Sequence, residues 1–182
     1  MTTEERLEIE VKVRIDSPET WRERLPALGA RPLYPRAFER NLVFDSAERE
    51  LQKRGVLLRL RQAADRSLLT MKMPGRAGSA YKVRRETEVG VGDFAAAEKI
   101  LRGIGLAPVF AYEKYRQVFR LAAVLLMLDE TPIGDFLEIE GEPAAIDEAA
   151  ARLGFARGDY ITDSYHRLFL AAGHRGDMVF SP

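Results

Sequence analysis

From Leu7 to Arg14 apolar and polar positions alternate without a break. Successive side chains of a β-strand leave opposite faces, so this spacing predicts a strand with Leu7, Ile9, Val11 and Val13 on one face. Glu8, Glu10, Lys12 and Arg14 share the other. Ionisable rows of the same kind recur at Arg59 and Arg61, Lys72, Lys82 to Glu88, Lys114 and Arg116, and Glu138 and Glu140. Taken one strand at a time, the alternation is that of a solvated sheet face. Repeated over at least six strands, it predicts ionisable rows facing each other across a closed sheet.

The same reading places strands at about 6–15, 36–45, 56–62, 67–73, 80–90, 110–121, 123–130 and 135–140. Several follow one another as hairpins, through 63–66 and the turn 131–134. Helices are interposed. Ser17 as N-cap and Pro18 at the first position open one with Trp21, Leu25 and Leu28 as its apolar stripe and Gly29 as its end. A short helix is expected over 46–53. Asp93 caps a third, and Pro143 to Leu153 form an Ala-rich fourth ended by Gly154. Asp163 or Ser164 caps a last one running through Ala172. A flexible, glycine-rich loop is expected over 74–79, and 173–182 carries so few packing signals that it reads as a loose tail. The expected fold class is α+β: one domain over 1–182, an eight-stranded antiparallel closed β-barrel forming a tunnel. Its helices pack outside, with the last one near the tunnel mouth.

Composition changes the picture mainly by exclusion. The chain has 182 residues, 46% hydrophobic and 31% charged, with 28 basic against 28 acidic residues. Zero net charge argues against a general nucleic-acid binder. Without cysteine there is no disulfide and no thiolate metal site. Only His166 and His174 offer imidazole, so any metal is expected to be a hard, oxygen-liganded cation such as Mg²⁺ or Mn²⁺. The longest apolar run, Leu121 to Leu128, is too short to span a bilayer as a helix. The charged start around Glu4 to Arg6 does not read as a signal peptide. A cytoplasmic protein without membrane partners is expected, and a homodimer is left open.

Two constellations carry the chemistry. Lys12, Arg59, Arg61, Lys72, Lys82, Arg84, Lys114 and Arg116 each fall in a predicted strand. Clustered guanidinium and ammonium groups need a polyanion, and phosphate suits Arg because its oxygens can be gripped two at a time. Glu8, Glu10, Asp129, Glu138 and Glu140 are expected to meet at one end of the barrel, where a divalent cation would relieve their repulsion. Glu86 and Glu88 either join them or pair with neighbouring cations. His166 is expected on a helix surface. Tyr165 is divided evenly between packing and reaching the tunnel mouth. With no helix following Gly75 and Gly78, that loop does not read as a phosphate cradle.

These residues, in this order, resemble a known family. Glu8-x-Glu10-x-Lys12 resembles the ExExK motif of the CYTH domain, or triphosphate tunnel metalloenzymes. Leu57 to Arg61, Leu69 to Lys72, Lys82-x-Arg84-x-Glu86-x-Glu88, Lys114-x-Arg116, Leu128-Asp129, Ile133 to Glu140 and Asp163-Ser164-Tyr165 follow in the family's sequence. The spacing is closest to the class IV adenylate cyclase branch, with thiamine triphosphatases and tripolyphosphatases as further relatives. The resemblance implies Mg²⁺ or Mn²⁺ held by Glu8, Glu10, Asp129, Glu138 and Glu140. It implies a triphosphate (ATP, thiamine triphosphate or tripolyphosphate) gripped by the basic set, with Lys12, Arg59, Arg61, Lys72 and Arg116 as the catalytic cations. The activity implied is either cyclisation of ATP to cyclic AMP and pyrophosphate or hydrolysis of a triphosphate. A non-catalytic polyphosphate- or nucleotide-binding module is the alternative. Val43 and Asn41 depart from the common pattern, and no role is carried onto them.

Overall fold

The computed structural model describes residues 6–75 and 80–181. Among them lie eight strands, five α-helices and one short 3₁₀ turn. The strands are β1 (Arg6–Ile15), β2 (Arg31–Asp45), β3 (Leu57–Ala63), β4 (Arg66–Pro74), β5 (Lys82–Val91), β6 (Ala107–Leu121), β7 (Val124–Thr131) and β8 (Gly134–Glu140). They close into a barrel in the order β1-β5-β4-β3-β2-β6-β7-β8, every neighbour antiparallel. Closure removes the open edges that eight strands in a flat sheet would leave.

The barrel is built inside out relative to most small barrels. Its apolar faces point outward and are covered by helices. Ile9, Val11 and Val13 of β1, with Leu126, Leu128, Leu137 and Ile139 of β7 and β8, form the main core. It is roofed by Trp21 and Leu25 of α1 (Pro18–Ala27) and by Ile146, Ala150 and Leu153 of α4 (Pro143–Leu153). A second core places Ala97 and Leu101 of α3 (Phe94–Gly103) on Leu42, Phe44 and Leu60. A third joins Tyr165 and Phe169 of α5 (Tyr165–Ala171) to Phe110, Tyr112 and Phe136. The caps are those the sequence predicts: Ser17, Asp93 and Ser164 each accept a backbone N–H from the first turn, and Gly154 closes α4 in the left-handed conformation. No helix among the described residues is long and apolar enough to cross a membrane.

Three boundaries differ from expectation. β2 begins five residues before the predicted 36. Pro32 and Pro35 argue against a strand, but residues 31–38 pair only with β6, so a missing N–H can face the unpaired edge. The short helix α2 (Glu50–Lys53) covers only the second half of the predicted 46–53. The Asp45 carboxylate accepts the N–H groups of Ser46, Leu51 and Gln52 and holds the intervening turn. The C-terminal residues expected to form a loose tail are anchored. Met178 is fully buried, bonds Ala111 and Glu113 through its backbone, and makes a parallel bridge to Tyr112. Phe180 packs on Tyr115 with ring centroids 5.5 Å apart. The expected loop over 74–79 lies largely outside the described residues; Gly75 closes its near end by bonding Val83.

Two hairpin turns hold alanine in left-handed backbone, Ala64 at φ 50° and Ala122 at φ 49°. A Cβ there crowds the carbonyl oxygen, at a cost of roughly 1–2 kcal/mol that glycine does not bear. Ala122→Gly is therefore expected to raise unfolding free energy by about 0.5–1 kcal/mol after the larger unfolded-state entropy of glycine is subtracted. Urea denaturation followed by circular dichroism measures it; a loss of stability would contradict the assigned turn.

Candidate active site

With apolar faces outward, the period of two sends the ionisable rows inward. They enclose a cavity of about 730 Å³. Of the predicted residues, Glu8, Glu10, Lys12, Arg59, Arg61, Lys72, Lys82, Lys114, Arg116, Glu138 and Glu140 border it. Arg84 and Asp129 do not. Arg84 pairs in register with Glu8, half-buried, with its Nε unpartnered. Asp129 is on the inward face of β7 with Leu125 and Met127, but it is fully buried beneath the side chains that line the cavity. Arg116 donates to it through Nε and Nη2 at 2.6 and 2.5 Å, Lys114 Nζ at 2.8 Å and the Tyr165 hydroxyl at 2.7 Å.

Acids and bases interleave around the bore. Lys72 bridges Glu8 and Glu86 at 2.5 and 2.7 Å, and Lys82 meets Glu10 at 2.6 Å. Lys12 lies 3.1 Å from Glu138 and 3.5 Å from Glu10, Arg116 also pairs with Glu138, and Arg6 holds Glu140 at 2.7 Å. The acids expected to converge lie near one another, Glu10 pairing in register with Glu140 and Lys12 with Glu138, but each is drawn onto a cation. Among the described residues no three acid or imidazole groups stand at metal-ligand spacing. The reason is electrostatic: a buried carboxylate beside a buried cation is drawn onto it, because neither has water to turn to.

The pairing shows in the proton affinities. Burial and Glu138 push the Glu10 carboxyl up, yet Lys82, Lys12 and Lys72 together bring it down to about 2. Burial likewise opposes Glu138, and Lys12, Arg116 and Lys114 hold it well below the usual range. Glu140 goes the other way. Burial takes it up to about 7, with Glu8 and Glu10 adding to the rise and Arg6 opposing it. On the β3 wall the cations lack close acids. Arg59 donates to the Tyr112 hydroxyl and Thr70, its nearest carboxylate being Glu88 at 3.9 Å. Among the described residues Arg61 has one carboxylate near it, Glu39 at 3.5 Å; burial and the neighbouring Arg59 draw it below the usual arginine range. The Nε atoms of both are buried without a partner.

Several lining residues escape sequence reasoning. Glu39 is buried between Arg61 and Lys114. Its alternation, Ala37-x-Glu39-x-Asn41-x-Val43, is interrupted by the outward charge of Arg40, and that hid it. Tyr112 sits two residues before Lys114 on the same face, a signal that was available. Tyr165 does both things weighed for it: it packs against Phe136, and its ring lies under Lys12 and Lys114 at 5.0 and 5.2 Å. His166, expected on a helix surface, borders the cavity and lies tilted against Phe110, ring centroids 4.2 Å apart.

The CYTH domain family model matches residues 6–165. The chain belongs to the CYTH family. No curated protein matches it in sequence. Among solved structures, this CYTH chain is similar to a candidate adenylate cyclase from Vibrio parahaemolyticus, with 17% identity, TM-score 0.81 and coverage of 92% of this chain and 99% of that one. A conserved hypothetical protein from Pyrococcus furiosus aligns at 25% identity and TM-score 0.73, covering 88% and 99%. A candidate adenylyl cyclase from Hippeastrum aligns at 21% and 0.65, covering 92% and 97%. At these identities the two cyclase-named neighbours speak for the tunnel fold.

The family is metal-dependent in general, and the CYTH bore offers donors of the right kind. Glu8 Oε2 is buried without a partner, and Glu140 is crowded toward neutrality beside Glu8 and Glu10. A hard divalent cation relieves both conditions. Glu8, Glu10, Glu138 and Glu140 could hold it. Asp129 does not fit, since it already accepts four hydrogen bonds, from Arg116, Lys114 and Tyr165.

Glu39 gives a pH test. Burial raises its carboxyl, but Lys114, Arg61 and Arg116 lower it to about 2. A depressed carboxylate contributes stability above the unfolded pKa and loses it as pH falls through the folded one. Glu39→Gln should therefore cost up to about 3 kcal/mol at pH 7 and flatten the stability loss between roughly pH 4.5 and 2. Urea midpoints across that range measure it; an unchanged acid limb would contradict the pairing.

Proposed function

We propose that this protein is a divalent-metal-dependent enzyme acting on a triphosphate held in the barrel. The observation that carries the reading is the pair Arg59, buried, and Arg61, half-buried, side by side on one strand bordering the cavity, each with an unpartnered Nε. A buried guanidinium without a close anion is costly, and a bound phosphate supplies one. The Hippeastrum neighbour is described as having a dominant triphosphatase activity, which adds hydrolysis beside the cyclisation named for others.

The chain's own residues bind and orient. Arg59, Arg61, Lys72, Lys82, Lys114 and Arg116 would hold the phosphates in a row and neutralise charge as it builds on the transferring group. Asp129, itself hydrogen-bonded by Tyr165, fixes the Lys114 and Arg116 head groups. Glu8, Glu10, Glu138 and Glu140 would hold Mg²⁺ or Mn²⁺, which when bound supplies polarisation and charge neutralisation at the phosphate oxygens. Exclusion of bulk water by the barrel wall strengthens each of these terms.

The test is incubation with ATP, thiamine triphosphate and tripolyphosphate in Mg²⁺ or Mn²⁺, with products identified. Cyclic AMP with pyrophosphate assigns cyclisation, and orthophosphate without cyclic AMP assigns hydrolysis. Arg61→Ala should lower kcat/KM by about 100-fold or more while the fold is retained by circular dichroism. Full activity in that variant would remove the central argument.

The interleaved acids favour one other reading, a binding module without turnover, because each of them is already held by a cation. Glu138→Gln separates the two. An enzyme loses most metal-dependent turnover, whereas a binding module keeps its triphosphate affinity by calorimetry and has no turnover to lose.

A further inference from the structure

The hydrogen bonds around Arg59 run in one direction and stop at Tyr112. Glu88 on β5 accepts from the Thr70 hydroxyl at 2.7 Å. Thr70 on β4, fully buried, has given its one hydroxyl proton and accepts from Arg59 Nη2 at 3.3 Å. The other terminal nitrogen of Arg59, Nη1, donates to the Tyr112 hydroxyl on β6 at 3.1 Å. The series has an anion at its Glu88 end. At the opposite end stands a phenol whose oxygen is taken and whose proton is not. A hydroxyl that accepts from a guanidinium must send its own proton elsewhere, and among the described residues the Tyr112 proton has no acceptor.

The surroundings account for that. Tyr112 is only 8% exposed yet borders the cavity, and its ring packs on Phe110 with centroids 5.7 Å apart. Asn41 on β2 pairs in register with Tyr112 on one side and with Arg61 on the other. Glu39, two residues along β2, lies against Arg61 and Lys114 instead. The charges that act most on the phenol are therefore cations, Arg59, Lys114 and Arg61. Burial pushes its proton affinity up, and these three bring it below the usual tyrosine range. Donation by the guanidinium also polarises the O–H and makes it the stronger donor. A further lysine or arginine here would add repulsion, whereas a phenol adds a hydrogen bond without charge.

We infer that Tyr112 is a further substrate-binding residue of the bore, its hydroxyl donating to an oxygen of the phosphoryl group that Arg59 holds. This rests on the triphosphate reading above and adds a neutral contact to it. An ammonium attracts an anion as a point charge, while a hydroxyl bond requires the acceptor oxygen at one distance and angle. Tyr112 thus fixes where along the bore one phosphoryl group stops.

The experiment compares the calorimetric affinity of the full-length protein for ATP, thiamine triphosphate and tripolyphosphate, each with Mg²⁺ or Mn²⁺, in wild type, Tyr112→Phe and Thr70→Val. Tyr112→Phe removes one oxygen and keeps the ring on Phe110. It also takes an acceptor from Arg59; Thr70→Val takes the other, and so measures what support of Arg59 alone is worth. Tyr112→Phe should weaken every probe that binds by about 10-fold or more, the loss of a hydrogen bond to a charged group. The factor should be the same for each probe, because the contact is to the shared phosphates, and Thr70→Val should cost distinctly less. Thermal unfolding checks that both variants fold. Equal losses in the two variants would make Tyr112 a support for Arg59 and nothing more, and undiminished affinity in Tyr112→Phe would leave its proton without a use. Either result overturns this inference and leaves the triphosphate reading standing. If wild type binds none of the three probes, the triphosphate reading itself fails, and the inference with it.

Discussion

A charge taken out of water must find a partner, and that requirement organises this protein. Glu10, Lys12, Arg59, Lys114, Asp129 and Glu138 are each buried to within a few per cent of complete exclusion. Left alone, any one of them would cost several kcal/mol. Interleaving acids with bases around the bore makes the barrel tolerable. The same choice moves the hydrophobic core outward, because an interior filled with charge cannot also be filled with leucine. The helices follow from that displacement. Without α1, α3 and α4, the outer faces of β1, β2, β3, β7 and β8 would stand in water, while α5 packs on the inward-facing Phe110, Tyr112 and Phe136 at one end of the bore.

The pairing is uneven, and the unevenness points to function. On β1, β5, β7 and β8 most acids have a cation within about hydrogen-bond reach, and the network is nearly closed. On β3 it is not. Arg59 leans on a phenol and a threonine hydroxyl, and Arg61 on a single carboxylate beyond hydrogen-bond distance. A protein selected only for stability would gain by replacing such groups with apolar ones of similar volume. Their retention in a roomy cavity is what a site awaiting an anion requires.

Most of the architecture was legible because it rests on a local rule. Strict two-residue alternation in β1 states which side is charged, and its recurrence states that the charged sides meet. Caps at Ser17, Asp93 and Ser164 were equally local. What escaped depends on partners distant in sequence. The proline-bearing start of β2 is a strand only because its outer edge is unpaired. The anchoring of Met178 depends on the free backbone of β6. Glu39 was hidden by one outward arginine beside it. Asp129 does share the inward face of β7, but Lys114, Arg116 and Tyr165 close over it and cut it off from the cavity.

On the proposed reading, the charges that hold the empty barrel together are the charges a substrate must recruit, so binding is an exchange of partners. A polyanion arriving alone would take Lys72, Lys82 and Arg116 from their carboxylates and leave Glu8, Glu10 and Glu138 facing one another. A divalent cation arriving alone would take the carboxylates and leave the lysines and arginines in mutual repulsion. Arriving together, each occupies the groups the other displaces, and no buried charge is left without an opposite. The interleaved ground state therefore favours a metal–polyphosphate pair over either component. Glu140 sits at the margin of this exchange. Burial, Glu8 and Glu10 raise its carboxyl to about 7 against the pull of Arg6, and a further cation at that end of the bore would bring it down. The arrangement that stabilises the free protein is in this way also its first filter for what enters.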